Sequence, residues 1–477
     1  MTVMRTTTAA AAIAPARRCA YTVLRRVFEQ GAYADQALLA ESTQLDRRDR
    51  ALAMRLAYGA VQRKGTLDHL IAELSERPPE RLDPPLLAGL RLGLYELLYL
   101  GGSPDYAIVA DAVELTKAHA RAGHGLVNAV LRRAAREGAA TLLGGLAEDT
   151  PEHAAVKHSH PEWLARLWWE ELGAEQARAL MSFDNEPGEL ALRANTLLTD
   201  ASALARELPV RTHSDPQIPE ALVLEEPFDV HGSPLWQAGA FIPQSRAAML
   251  VARALAPLPG EQVLDLCAAP GGKSTHLAAL MEGSGEVLAV ERNPRRAGDL
   301  VRAARRMHAG NVRVEVGDAA LWPALSARGS DAPRAQDASF DRVLVDPPCS
   351  GLGTLQARAD LRWRVTPEAI AQMTGVQARI LDAGAKALRP GGLLVYSTCT
   401  ISPSENERLI DSFLDSHPAF SLDDLGGDDD RAEIGRPRPP SPAARIGDLR
   451  AGEAGVVLTL PHRDHTAGFF IARLRRS

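Results

Sequence analysis

At 477 residues, 45% hydrophobic and 24% charged, the chain is too long for one ordinary domain and too apolar to be disordered throughout. A net charge of −6 excludes a generic polyanion binder, so any nucleic-acid contact has to use a local basic surface. Four scattered cysteines (Cys19, Cys267, Cys349, Cys399) exclude a disulfide scaffold and suit a reducing cytosol; with no CxxC pair or His-rich cluster, no metal is expected. Residues 1–15 lack an apolar core long enough for a signal peptide and read as a disordered extension. No later run is long enough to cross a membrane, so a cytoplasmic chain is expected, and no segment marks an obligate protein partner.

Residues 16–140 read as helices. Tyr21, Leu24, Val27 and Phe28 recur at helical spacing, as do Leu52, Leu56 and Val61, and prolines 78, 79, 84 and 85 punctuate the series. Up to residue 137 this part carries nineteen Lys/Arg against fifteen Asp/Glu, which permits RNA binding without requiring it. The stretches ARRCAYTVLRRV, LRLGLYELLYL and GLVNAVLRR resemble those of a NusB-like RNA-binding domain. That resemblance implies an all-α domain and RNA as partner. It does not by itself distinguish base contacts from solvated arginines.

Residues 138–150 read as a polar linker. A small α+β module is expected over 151–235, opening on the aromatic helix around Trp163, Trp168 and Trp169, whose spacing suits core packing better than base stacking. From 236 to 477, strand and helix patterns alternate, predicting a parallel α/β sheet of Rossmann type. The expected strands are QVLDLCA, EVLAVER, VRVEVGD, FDRVLVDPP and GLLVYSTC, with Arg389–Gly392 as the turn into the last and GFFIARLRR as a closing strand. Ser326–Ser339 and Gly426–Arg445 read as disordered interruptions.

The first of these strands runs into Cys267-Ala268-Ala269-Pro270-Gly271-Gly272-Lys273, where small residues let backbone approach a ligand and a helix N-terminus offers free N–H groups. It lacks both GxGxxG and the full P-loop pattern. Glu291 ends the second strand, where an acid suits ribose hydroxyls, and Asp318 ends the third, where it suits an adenine amino group. Carboxylates at successive strand tips beside a glycine turn fit S-adenosylmethionine.

Asp346 and Cys349 in DPPC, and Cys399 in STC, fall at the carboxyl ends of the next two strands, so all three are expected at one crevice. Two thiols there suit methylation of cytosine. Carbon 5 of that ring attacks a methylsulfonium only after a thiolate has added at carbon 6. An acid such as Asp346 at ring N3 would stabilise the adduct, and a base must later remove the carbon-5 proton. Cys19 reads as a core residue and Cys267 as pocket lining. Spacing alone leaves Cys349 and Cys399 interchangeable.

CAAPGGK, DPPCSG and STC followed by SENE resemble, in order, the motifs of the RsmB/Sun family of RNA 5-methylcytosine methyltransferases, over the segment 236–477. The resemblance implies that residues 267–273 with Glu291, Asp318 and Asp346 hold the cofactor. It further implies that Cys399 is the nucleophile, that Cys349 promotes release, and that Asp346 and Lys273 belong to the catalytic group. The NusB-like domain ahead of it implies a 16S ribosomal RNA cytosine as substrate. Glu291 stands where the family has Asp, Ala359-Asp360-Leu361-Arg362-Trp363 departs from its Pro-Asp-x-Lys-Trp stretch, and Phe241–Ser245 fits the family only loosely. These departures bear on substrate contacts more than on chemistry. Alternatives are methylation of another RNA such as tRNA, methylation of DNA, and a non-catalytic NusB-like antitermination factor.

Overall fold

Local signals start and stop the first helices. Pro15 and Pro84 occupy first-turn positions, where a missing N–H costs nothing; Asp46 accepts from Asp49 N to cap Arg47–Gln62; Gly31 ends Pro15–Gln30 in the left-handed region. The computed structural model, which describes residues 13–322, 340–425 and 455–477, divides into two units. One comprises the chain up to Glu186 together with Leu355–Arg364; the other comprises Pro187–Thr354 and Val365–Ser477.

The first unit is helical, as expected. Its core encloses Tyr21, Leu24, Leu56, Leu67, Leu70, Ile71, Leu90, Val127 and Leu131 completely, each such side chain contributing roughly 1.5–3 kcal/mol. Arg17, from the ARRCAYTVLRRV stretch, meets Glu96 of LYELLYL at 2.6 Å and Asp111 at 2.7 Å, so a largely buried ion-pair network ties together segments far apart in sequence. The extension expected over 1–15 is cut short, because Pro15 already begins a helix; residues 1–12 lie outside the described residues. The expected linker contains a short helix, Ala139–Gly144.

The aromatic helix Glu162–Leu172 and its neighbours Pro151–His158 and Ala174–Phe183 belong to this unit, not to the small sheet that follows. Hydrogen bonds explain it: Thr66 Oγ1 donates to Val156 O (2.6 Å) and Gly65 N to Ser159 Oγ (2.9 Å). Trp168 is buried beside His160, while Trp163 and Trp169 are half-buried.

Leu355–Arg364 is also built into this unit. Arg362 is wholly buried, donating to Ser159 O (3.0 Å), Asn185 Oδ1 (3.0 Å) and Asp184 O (3.2 Å). Trp363 Nε1 donates to Val61 O (2.7 Å), and Asp360 accepts from Arg364 Nε (2.9 Å) and Ala34 N (3.4 Å). The departure over Ala359–Trp363 therefore falls on residues that are bonded within this unit, with Asp360 and Arg362 buried.

In the second unit, strands β1 (Ala191–Ala194), β2 (Thr212–Ser214), β3 (Ala221–Leu224) and β4 (Phe241–Pro243) form an antiparallel sheet in the order β2-β3-β1-β4. Strand β4 lies beyond the expected module boundary at 235, because Phe241 is buried in this sheet's core and Ile242 pairs with Arg193. The main sheet follows: β5 (Gln262–Leu266), β6 (Glu286–Glu291), β7 (Val312–Val316), β8 (Phe340–Val345), β9 (Leu388–Thr398), β10 (Phe420–Leu422), β11 (Val456–Leu458) and β12 (Phe470–Arg476). Its order is β10-β12-β9-β8-β5-β6-β7, with β11 paired to β12. Strands β5 to β9 are parallel and β12 is antiparallel to β9, so the sheet is mixed and not purely parallel.

Arg389–Gly392 lie inside β9 instead of forming a turn before it. Gly391 at φ +77° and a register break near Phe340 and Arg342 make this a bulged strand entry. The expected interruptions at Ser326–Ser339 and Gly426–Arg445 lie outside the described residues. From β5 the strand order runs to β6 and β7 on one side and to β8 and β9 on the other. The turns leaving β5 and β8 therefore open onto one crevice.

Candidate active site

The turn leaving β5 is shaped by its backbone. Cys267 takes φ +67°, and Gly271 at φ +104° caps the helix Gly272–Leu280. A Cβ on Gly271 would lie 3.2 Å from Leu300 Cγ, in a conformation that side chains avoid, so the turn requires glycine there. Ala268 N donates to Val290 O (3.0 Å) and Arg296 Nη2 to Ala269 O (2.7 Å), anchoring the turn to β6 and the helix after it. Beneath it Asp265 is fully buried and accepts from Ser274 Oγ (2.6 Å); burial pushes its pKa up to about 7 against that hydrogen bond, with Asp346 adding to the rise. Asp265 was missed in the sequence, although its place one residue before the strand end carried the signal.

The two remaining strand-tip acids are close to each other. Glu291 is buried, accepts from Asn293 N (2.8 Å) and lies 3.5 Å from Arg296; its carbonyl accepts from Gly317 N (3.1 Å). Asp318 caps the short helix Ala319–Leu321 through Ala320 N (3.0 Å). Gln244 Oε1, also missed, is buried with no donor among the described residues and lies 3.9 Å from where a Cβ on Gly272 would be. Burial, then Asp346 and the other acids, push the Cys267 thiol up to about 12.

Lys273, Asp346, Cys349 and Cys399 converge. Lys273 Nζ donates to Asp346 Oδ2 (2.7 Å) and stands 5.1 Å from the Phe469 ring centre; Asp346 Oδ1 accepts from Ser397 Oγ (3.0 Å). Burial would lower the Lys273 pKa, but the Asp346 carboxylate and the Cys399 sulfur raise it above the ordinary lysine value. The two sulfurs are 3.3 Å apart. Cys349 is held well above the usual thiol range, first by its hydrogen bond to Cys399, then by burial, then by Cys399, Glu405 and Asp346 charges. The two differ in their surroundings: ionisation is opposed at Cys349, and the charge of Cys399 bears on Lys273.

The loops carrying these sulfurs meet a third. Gly353 N donates to Cys399 O (3.0 Å), and Gly468 N donates to Gly353 O (2.7 Å). A Cβ on Gly353 would lie 1.9 Å from Gly468 O, a backbone atom that cannot swing aside. Gly353→Ala is therefore expected to destabilise the fold by about 2–3 kcal/mol, seen as a lower thermal midpoint. An unchanged midpoint would mean that the loops separate freely.

Among the described residues no His, Cys, Asp and Glu group is arranged to hold a metal, and no helix is long and apolar enough to cross a membrane.

Family models match three segments. The 16S rRNA methyltransferase RsmB/F model matches residues 252–475, the NusB family model residues 14–136, and a ferredoxin-like domain model of RsmF/B-like methyltransferases residues 160–231. Among curated relatives, the probable ribosomal RNA small subunit methyltransferase B of Synechocystis sp. is 34% identical over 97% of this chain and 99% of its own length. The protein of that name from Bacillus subtilis is 32% identical over 96% and 98%, and ribosomal RNA small subunit methyltransferase B of Thermus thermophilus 34% over 90% and 89%. Among solved structures, the protein PH0851 superposes with a TM-score of 0.74 at 26% identity, covering 97% of this chain and 98% of that one. A methyltransferase homologue from Pyrococcus horikoshii gives 0.57 at 27% identity, over 69% and 99%.

Proposed function

The chain belongs to the RsmB/F family of 16S ribosomal RNA methyltransferases, and on that premise we propose that it methylates carbon 5 of a cytosine in small-subunit ribosomal RNA. The observation that carries the cytosine-5 reading is the pair of sulfurs 3.3 Å apart beside the Lys273–Asp346 ion pair.

The turn fits S-adenosylmethionine. Gly271 and Gly272 leave room at a helix N-terminus, Glu291 and Asp318 follow or end neighbouring parallel strands, and Gln244 Oε1, without a partner among the described residues, offers an acceptor beside Gly272. When bound, that cofactor supplies the methyl group to a carbon 5 made nucleophilic by the enzyme. Residues 267–273, Glu291, Asp318 and Asp346 would hold it.

The remaining chemistry belongs to the chain itself. Cys399, whose charge bears on Lys273, is the sulfur that adds to carbon 6. As negative charge develops at ring N3, Asp346 donates a proton there and is resupplied by the Lys273 ammonium that it contacts. Once Cys399 is a thioether, it no longer accepts from Cys349 or repels its ionisation. The largest cause of the raised Cys349 pKa, its hydrogen bond to Cys399, then vanishes, so Cys349 can release its own proton to solvent and, as a thiolate, take the carbon-5 proton. Adduct formation thereby switches on the residue that ends it.

Methylation of DNA is disfavoured by the NusB-like helical unit, and a non-catalytic antitermination role by the retention of both sulfurs with Lys273 and Asp346 in contact. Purified chain, S-adenosylmethionine and unmethylated small-subunit RNA or subunits should yield 5-methylcytosine at a defined position by RNA mass spectrometry. Methyl groups on another base, or on transfer RNA alone, would overturn the substrate reading.

A further inference from the structure

Glu405 is completely buried, and among the described residues no cation pairs with it. A carboxylate placed in that way is expensive unless its hydrogen bonds fix something. Its bonds all lead to one loop. Oε1 accepts from Ser350 N (2.9 Å) and from Gln377 Nε2 (3.0 Å); Oε2 accepts from Ser350 Oγ (2.5 Å). Gln377 Nε2 also donates to Pro348 O (3.0 Å). The residues on either side of Cys349 are therefore both held, one directly by Glu405 and the other through the glutamine it binds.

The next residue does the same for the other sulfur. Asn406 Oδ1 accepts from Thr398 Oγ1 (2.6 Å), and its Nδ2 donates to Thr400 O (3.0 Å), so it brackets Cys399. The halves are joined where Ser350 Oγ meets Thr400 Oγ1 at 2.6 Å, and Tyr396 Oη anchors the dipeptide by donating to Glu405 O (2.7 Å). All of these side chains are buried.

We infer that Glu405 and Asn406 are a positioning pair: two adjacent residues that each hold the loop of one cysteine and thereby set the gap between the sulfurs. Neither touches a sulfur in this network. The geometric part stands on the hydrogen bonds alone, while its effect on methyl transfer rests on the two-cysteine reading above. Transfer requires one sulfur to reach carbon 6 and the other to reach the proton on the adjacent carbon 5, in sequence. A displacement of about 1 Å in such a site costs on the order of a hundredfold in rate.

The test uses the full chain and two readouts. In the first, diamide oxidises the thiols: the two sulfurs lose two electrons and two protons to its N=N bond and become a disulfide, which mass spectrometry follows. Wild-type protein should form the Cys349–Cys399 bridge rapidly, and Glu405→Ala about tenfold more slowly, since untethered thiols have a lower effective concentration. Single-turnover methyl transfer is the second readout; in Glu405→Ala it should fall about a hundredfold while S-adenosylmethionine affinity stays within about twofold. Glu405→Gln keeps the volume and one acceptor, and should recover most of both rates. Tyr396→Phe removes the hydrogen bond to the Glu405 carbonyl but leaves both loops bracketed, and should lose stability with little loss of rate.

If Glu405→Ala does not fold, Ser350→Ala should show the same two losses in smaller measure. Bridge formation at the wild-type rate in Glu405→Ala, or in Ser350→Ala where the former does not fold, overturns the inference. So does a rate loss in Tyr396→Phe as large as that in Glu405→Ala. Slowed bridging in a chain that methylates no RNA supports the clamp and counts against the methyltransferase reading instead.

Discussion

Replacing Cys399 by alanine is expected to reduce methyl transfer by more than about 10⁴-fold, as loss of a covalent nucleophile does. S-adenosylmethionine affinity should stay within about twofold, because no atom of Cys399 lies in the glycine turn that would hold the cofactor. The measurement is single-turnover transfer from labelled S-adenosylmethionine beside equilibrium binding of the cofactor. Lys273 singles out Cys399. Its ammonium is raised in pKa by Asp346 and by Cys399, so the same charge that holds the acid stabilises the attacking sulfur. Turnover by the alanine variant would move the nucleophile to Cys349, whose raised pKa makes it the poorer candidate in the free enzyme.

Cys349→Ala has the opposite signature. Attack and transfer should proceed, and the product should remain bound: a protein–RNA species that survives denaturing electrophoresis and forms only with S-adenosylmethionine present. Release should slow by about two orders of magnitude or more, the usual worth of a positioned base. Raising the pH offers a second reading. The Cys349 proton is held up chiefly by Cys399, so wild-type release should not require the high pH that an isolated raised thiol would demand. Clean release by the variant at the wild-type rate would assign the carbon-5 proton to another group, and Asp346 would be the next to test.

Much of this site was legible in the sequence because its parts sit at strand ends. The turn after β5, the acids after β6 and β7, and the cysteines after β8 and β9 are spaced as a doubly wound sheet spaces its crevice residues. What could not be read was how the two sulfurs differ, which needs their 3.3 Å separation and the surroundings of Lys273. Glu405 was visible only as part of a motif, since its partners Ser350 and Gln377 are distant in sequence. Strand β4 was assigned to the wrong side of a boundary because three residues carry too little periodicity to show which sheet they join. Ala359–Trp363 misled for another reason. Charged and aromatic residues in a loop after a catalytic motif usually face solvent or ligand, and here Asp360 and Arg362 are buried instead.

That ten-residue excursion also has a temporal consequence. During synthesis the helices up to Glu186 emerge long before Leu355–Arg364, the segment that fills their core with Ala359 and covers Val61 with Trp363. Until those residues leave the ribosome, the backbone acceptors at Val61, Ser159 and Asp184 lack the donors they have in the finished protein. The helical unit is thus the first to be made but is completed only after β8 has been synthesised. For the same reason, a catalytic fragment cut free at residue 187 would carry Arg362 and Trp363 stripped of their partners, a recipe for aggregation where a simple loss of RNA affinity would otherwise be expected.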